Sequence, residues 1–574
     1  MAVRLDPRKV FPRRFVPPDA DLGRWETIEP LGTALLARTP ESPDALERWL
    51  EDVSELLAAV GEERARRYIA MTSQTDDPER ERAYLTFVRE VEPRMKALLQ
   101  RLDEHYLASP HRRALPERYR LFDRSVQTRV ALFREANLPL EVREAELEQQ
   151  YQKVTGAMTV TYRGAERTLQ QMARFLEEPD RATREEAWRL IAERRLADRE
   201  VLDDLYDRLL ALRREIARNA GVPTYREYVW RRRERFDYTP EDCFRFHDAV
   251  EAHLVPLAAR LHRARQQRLG VERLRPWDLE VDPSGAPPLR PFERPEELAA
   301  RAEEIFARVD PEFASQFRFL REEGLLDLAS RKGKAPGGYQ ATLTERRWPF
   351  IFMNAVGRDT DVLTLLHEGG HAFNALAVRE EPLLAYRHPP MEFAEVASMA
   401  MELLTADHLD PFYPDPEERR RAYRHRLERV IRLLPWVATI DAFQHWVYTH
   451  PGHSREERRA AWVAAYRRFH PAVDWTGLEE PLGTLWHAQI HLFLAPFYYI
   501  EYGIAQLGAL QVWRRAREDY RDAVRRYREA LALGGAAPLP ALFAAAGARF
   551  AFDAGTVAPL AEALRAELDA LGEP

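Results

Sequence analysis

Apolar residues recur at intervals of three and four along most of the chain, the period of helices that bury one face. The run after Pro43, DALERWLEDVSELLAAVGEERARRYIA, is the clearest example, and Ser42 stands where an N-cap belongs. Further helical runs are predicted over about 78–107, 140–155, 181–219, 240–269, 294–308 and 311–322, with Gly221 as a stop signal. Strand-like alternation is rare. It appears at 158–163, closed by Gly164, and in the pair 338–343 (GYQATL) and 348–354 (WPFIFMN). The Pro-dense stretch 273–296 reads as a long connector or a functional loop. The pattern therefore predicts a mainly α protein with a small β element.

Composition narrows the class. With 574 residues, 45 % of them hydrophobic and 31 % charged, the chain can bury a deep core, and wholesale disorder is excluded. A net charge of −7 from 86 basic and 93 acidic residues gives no strong single-sign field, so nucleic acid and anionic membrane are poor partners. The most apolar stretch, 491–513, carries Pro496, Glu501 and three tyrosines, and reads as a buried segment rather than a membrane span. The opening MAVRLDPRKVFPRRF lacks the apolar core of a signal peptide, so a cytoplasmic location is expected. Cys243 is the only cysteine, which argues against an intrachain disulfide and a Cys-based zinc site.

The most informative segment is DTDVLTLLHEGGHAFNAL, which contains His367-Glu368-Gly369-Gly370-His371. Residues i and i+4 of a helix lie about 40° apart around its axis, so both imidazoles can reach one zinc ion. Glu368 sits beside them, suited to act as general base toward a metal-activated water. Asp359 or Thr360 is expected to cap the helix. Two consecutive glycines weaken a helix by about 1 kcal/mol each; close approach by another backbone or by substrate would explain them. Zinc needs a third protein ligand. The next helical stretch, MEFAEVASMAMELL, places Glu395, Ser398/Met399 and Glu402 on one largely apolar face. Glu395 is expected to be the ligand and Glu402 the acceptor of a ligand histidine's second N–H. Spacing alone leaves Glu392 as an alternative to Glu395.

HEGGH, with Glu395 in FAEVASMAMELL and the downstream HLFLAPFYYIEYGIAQLGAL, resembles the oligoendopeptidase F and thimet oligopeptidase family of zinc metallopeptidases. Within it the chain is most similar to the Pz-peptidase-like oligoendopeptidases, over roughly 160–550. The resemblance implies a large helical ellipsoid with a deep central substrate channel and a small β-sheet beside the active site. The expected domains are an N-terminal helical one over 1–170 and a helical catalytic one over 171–574. The resemblance also implies one Zn2+ per chain, held by His367, His371 and Glu395, with Glu368 catalytic. His491 and the tyrosines Tyr498, Tyr499 and Tyr502 match the family's transition-state stabilisers. Pro496 suits the first turn of a helix over 497–513, in which Tyr498 and Tyr502 share a face; family spacing favours Tyr499 with Tyr502.

The expected activity is hydrolysis of internal bonds in short unfolded peptides. GGYQATL and WPFIFMN could form a hairpin whose edge pairs with an extended peptide, through Gly337, Gly338 and Tyr339. Lys332 and Lys334, which flank it, read as a solvated basic loop. A zinc carboxypeptidase or dipeptidyl carboxypeptidase is the alternative enzyme, and a non-catalytic helical peptide-binding scaffold the remote one.

Overall fold

Helix accounts for 69 % of the chain in the computed structural model, which describes residues 6–331, 333–335 and 337–572. The helix Pro43–Ser73 begins as its sequence predicts, with Ser42 Oγ accepting from Ala45 N at 3.2 Å. Three predicted runs are each divided in two: Pro78–Glu90 and Glu92–Ala108, Arg181–Ala197 and Arg199–Asn219, Pro240–His253 and Val255–Arg268. Pro93 and Pro256 account for two of these breaks, because proline has no N–H and clashes with the preceding turn. At the third, Asp198 leaves helical backbone with ψ 11°.

Five strands lie among the described residues: β1 (Thr159–Tyr162), β2 (Ala165–Thr168), β3 (Leu326–Ala329), β4 (Tyr339–Leu343) and β5 (Trp348–Ala355). β1 and β2 form a hairpin turned by Arg163 and Gly164, at φ 51° and 75°. Two positive φ values in a two-residue loop are what a type I′ turn requires. The second sheet has the order β3-β5-β4, with β4 antiparallel and β3 parallel to the central β5. The helical class and the small sheet are therefore as expected, with β2 and β3 in addition.

The chain divides into two units, each assembled from three segments that are distant in sequence. The first comprises Met1–Ala131, Leu289–Tyr423 and Gly508–Phe550; the second comprises Leu132–Pro288, Arg424–Leu507 and Ala551–Pro574. The first holds the β3-β5-β4 sheet and a buried cluster that includes Leu46, Trp49, Leu56, Val126 and Tyr386. In the second, the Pro-dense connector contains a buried ionic knot. Asp278 is fully buried and accepts from Arg181 Nε, Arg184 Nη2 and Arg181 Nη2 at 2.9–3.0 Å. This part of the connector is a packed structural element.

Candidate metal centre

The site in the first unit is built by two helices. Asp359–Ala377 carries His367, Glu368 and His371, and buries Val362, Leu363, Leu365 and Leu366. Its N-terminus is closed by Asp361, rather than by Asp359 or Thr360: the Asp361 carboxylate accepts from Val356 N at 2.7 Å and Arg358 N at 2.9 Å. The second helix, Met391–Leu404, approaches it closely. A Cβ on Gly370 would stand 2.5 Å from Ala397 O and 2.7 Å from Ser398 Cα, and one on Gly369 would stand 2.6 Å from Phe306 Cζ. One glycine admits a backbone and the other an aromatic ring. Tyr527 donates to the same Ala397 O at 2.6 Å, bracing the contact.

This close packing brings Glu395 to the histidines. Glu395 Oε2 lies 3.4 Å from His367 Nε2 and 3.6 Å from His371 Nε2. A tetrahedral ion with donors at about 2.0–2.1 Å needs donor separations of about 3.3–3.4 Å. The far sides of the donors are engaged: His367 Nδ1 lies 2.6 Å from Glu402 Oε1, and Ser398 Oγ donates to Glu395 Oε2 at 2.9 Å. Such outer partners orient ligands around an ion. The three residues therefore fit a zinc-sized cation. Glu392 is buried on the same helix but does not join the group of His367, His371 and Glu395.

The electrostatics are those of a site that wants positive charge. Burial opposes charge on Glu395, but its hydrogen bond to His371 and both imidazoles hold its carboxyl down at about 2. Burial also opposes charge on His367, yet Glu402, Glu395 and Glu368 raise it to about 9. Glu368 is raised above the ordinary glutamate value, chiefly by burial. A divalent ion there would displace the His367 proton, so loading would release it.

In the second unit, His491 sits among three tyrosines. Its ring centroid is 5.0 Å from Tyr499, 5.6 Å from Tyr498 and 5.9 Å from Tyr502. Tyr498 and Tyr499 lie 5.3 and 5.4 Å from Tyr502. The helix that carries the last two is Tyr499–Glu518, so it starts later than Pro496 suggested. Phe497 breaks it with φ 60°, a left-handed backbone for a bulky residue. Tyr498 thus meets Tyr502 from a turn, and the spacing argument that placed both on one helical face does not hold.

That turn is over-determined by side chains, most of which no sequence pattern singles out. Arg235 donates to Phe497 O and, at 2.7 Å, to buried Glu501; Gln444 Oε1 accepts from Phe497 N. The Arg233 guanidinium lies 5.1 Å from the Tyr498 ring centre. Gln489 Nε2 lies 2.7 Å from His491 Nδ1, and Gln489 Oε1 accepts from Trp436 Nε1 at 3.2 Å. The one signal in the sequence for any of these is a glutamate inside an apolar run, Glu501.

Of the residues proposed from sequence to hold peptide, Tyr339 begins β4, and Gly337 and Gly338 lead into it. Gly337 has φ 97°, which favours glycine, and its carbonyl accepts from Asn354 at 3.0 Å. Gly338 backs onto the His367 helix, where a Cβ would stand 3.3 Å from Thr364 Cγ2. Tyr339 stacks on Phe352 at 4.7 Å and shares a 2.7 Å hydrogen bond with Thr72. Lys334 is buried and donates to Asp327 Oδ1 and to the carbonyls of Asp327, Ala329 and Met353, so it is a structural pin and not part of a solvated loop. Lys332 lies outside the described residues.

The sequence profile of peptidase family M3 matches residues 174–561. The chain belongs to that family. This M3 member is 26 % identical over 181 residues to an oligoendopeptidase F homolog of Lactococcus lactis, covering 32 % of this chain and 29 % of the relative. It is 24 % identical over 230 residues to oligopeptidase PepF of Bacillus subtilis, covering 40 % of this chain and 34 % of the relative. The chain thus matches about a third of the length of these curated relatives. Among solved structures it is similar to Pz peptidase A with inhibitor 2, at 28 % identity and a TM-score of 0.90, covering 98 % of this chain and 100 % of that one. Among the described residues, no helix is long and apolar enough to cross a membrane.

Proposed function

We propose that this M3-family chain is a zinc-dependent oligopeptidase that hydrolyses internal bonds of short unfolded peptides. The observation that carries the reading is the convergence of His367 Nε2, His371 Nε2 and Glu395 Oε2 at separations suited to one ion. Those three residues would hold it, and a zinc ion there supplies Lewis acidity toward a water and a scissile carbonyl. Glu368 accepts the attacking water's proton on its carboxylate and returns it to the leaving amine. Glu402 and Ser398 keep His367 and Glu395 aimed. Tyr502 and His491, with Tyr498 and Tyr499, supply hydrogen-bond donors to the developing oxyanion. The backbone of Gly337, Gly338 and Tyr339 at the β4 edge pairs with the extended substrate.

The test uses a peptide acetylated at its N-terminus and amidated at its C-terminus. Wild type cuts it internally, and Glu368→Gln retains zinc but loses about 10²–10⁴ in kcat/KM. Undiminished hydrolysis by Glu368→Gln overturns the assigned base. Cleavage abolished by C-terminal amidation replaces the endopeptidase with a carboxypeptidase.

A further inference from the structure

Two helices of the second unit carry paired donors that meet in the core. Cys243 and His247 stand four residues apart on Pro240–His253, and Asp441 and His445 four apart on Pro416–Thr449. Residues at that interval share a helix face, and metal sites in helical bundles are assembled from facing pairs of this kind. Cys243 Sγ, a carboxylate oxygen of Asp441 and a ring nitrogen of His445 all lie within 4.8 Å of one another. His247 Nε2 is hydrogen-bonded to Asp441 Oδ2 at 2.9 Å. Cys243 and Asp441 are fully buried, and His247 and His445 are 2 % and 3 % exposed.

The cluster does not satisfy itself. Among the described residues, Asp441 Oδ1 and His445 Nδ1 have no hydrogen-bond partner, and His445 Nε2 has only the ion-pair approach to Asp441 Oδ2 at 3.3 Å. Such atoms are costly in a core, and each calls for a missing partner. The wall beyond them is aromatic: Phe244, Phe497 and Trp230 lie 4.8, 5.2 and 5.7 Å from the His445 ring.

We propose that Cys243, Asp441 and His445 bind a second, structural cation of the zinc class, with His247 orienting the Asp441 carboxylate. A thiolate, a carboxylate and a neutral imidazole leave two negative charges for a divalent ion to neutralise. The sulfur and nitrogen donors favour zinc or cobalt over magnesium or calcium. On binding, the thiol proton leaves to solvent, and the donors draw together by up to about 1.3 Å to reach bonds of about 2.3 Å to sulfur and 2.0–2.2 Å to nitrogen and oxygen. A single cysteine argues against a site made of cysteines; a mixed donor set formed by two distant helices has no sequence signature. The ion would also stiffen the Phe497 turn, since His445 packs on Phe497 and its neighbour Gln444 bonds Phe497 N. This site shares no donor with the His367 centre, so either can be wrong without the other.

Because Cys243 is the only cysteine and the His367 centre has no thiolate, cobalt reads the two sites separately. The full chain is produced in Co2+-supplemented medium, so that the ion meets the chain as it folds. The expected spectrum has a near-ultraviolet thiolate-to-cobalt charge-transfer band. Cys243→Ser should lose that band and about one equivalent of Co2+, while keeping the visible d–d bands of the His367 centre. A wild-type chain whose His367 centre is loaded with cobalt but which shows no charge-transfer band overturns the proposal, and so does a metal content unchanged by Cys243→Ser. A pocket that holds only water gives that result. The wild-type spectrum decides the matter even if the variant fails to fold.

Discussion

Gly370 has no room for a methyl group because the atoms facing it are backbone, Ala397 O and Ser398 Cα. Gly370→Ala must therefore move a helix, and that helix carries Glu395. It should cost about 1–3 kcal/mol in stability and weaken zinc binding; melting curves and competition with a chelating dye measure the two. Gly369→Ala meets the tip of the Phe306 side chain rather than backbone, so it should cost less. Glu402→Gln keeps an acceptor for His367 but removes its charge, and zinc affinity should fall about 10–100-fold. The histidine pair and the shared face of Glu395 and Glu402 were legible in the sequence, because helical periodicity alone brings them together. Phe306 and Tyr527 were not, because only tertiary packing brings them to this helix crossing.

At the scale of elements, helices were legible and their ends less so. Periodicity runs unbroken through Val91, Asp198 and Leu254, yet the helix stops at each. The later start of the helix Tyr499–Glu518 has a similar cause: Phe497 takes a left-handed backbone that Arg235 and Gln444 hold from distant segments. The Pro-dense connector gains its order from charge. Asp278→Asn leaves Arg184, 1 % exposed, without a full counter-charge. It should destabilise the chain by about 3–5 kcal/mol in urea titration. Below the transition, kcat on the blocked peptide should be unchanged, which separates structure from chemistry.

For the molecule as a whole, buried histidines set a stability window. Burial, with the Arg432 charge, pushes His262 down to about 4, and burial pushes His470 down to about 3. Their folded values lie below the ordinary 6.5, so the unfolded chain takes up protons first. The stability these two confer is full above pH 6.5 and is lost as pH falls toward 4, by on the order of 3 kcal/mol for each. Tm measured from pH 7 to pH 4 should fall, and His262→Gln should flatten the curve. A melting temperature constant to pH 4 would contradict this. The central claim concerns one cation shared by His367, His371 and Glu395. A zinc-soaked crystal, with an anomalous difference map at the zinc edge, tests it most directly. The account predicts a peak about 2.0–2.2 Å from His367 Nε2, His371 Nε2 and a Glu395 oxygen. A map with no peak among these three atoms, at a zinc level that supports peptide hydrolysis, would contradict it.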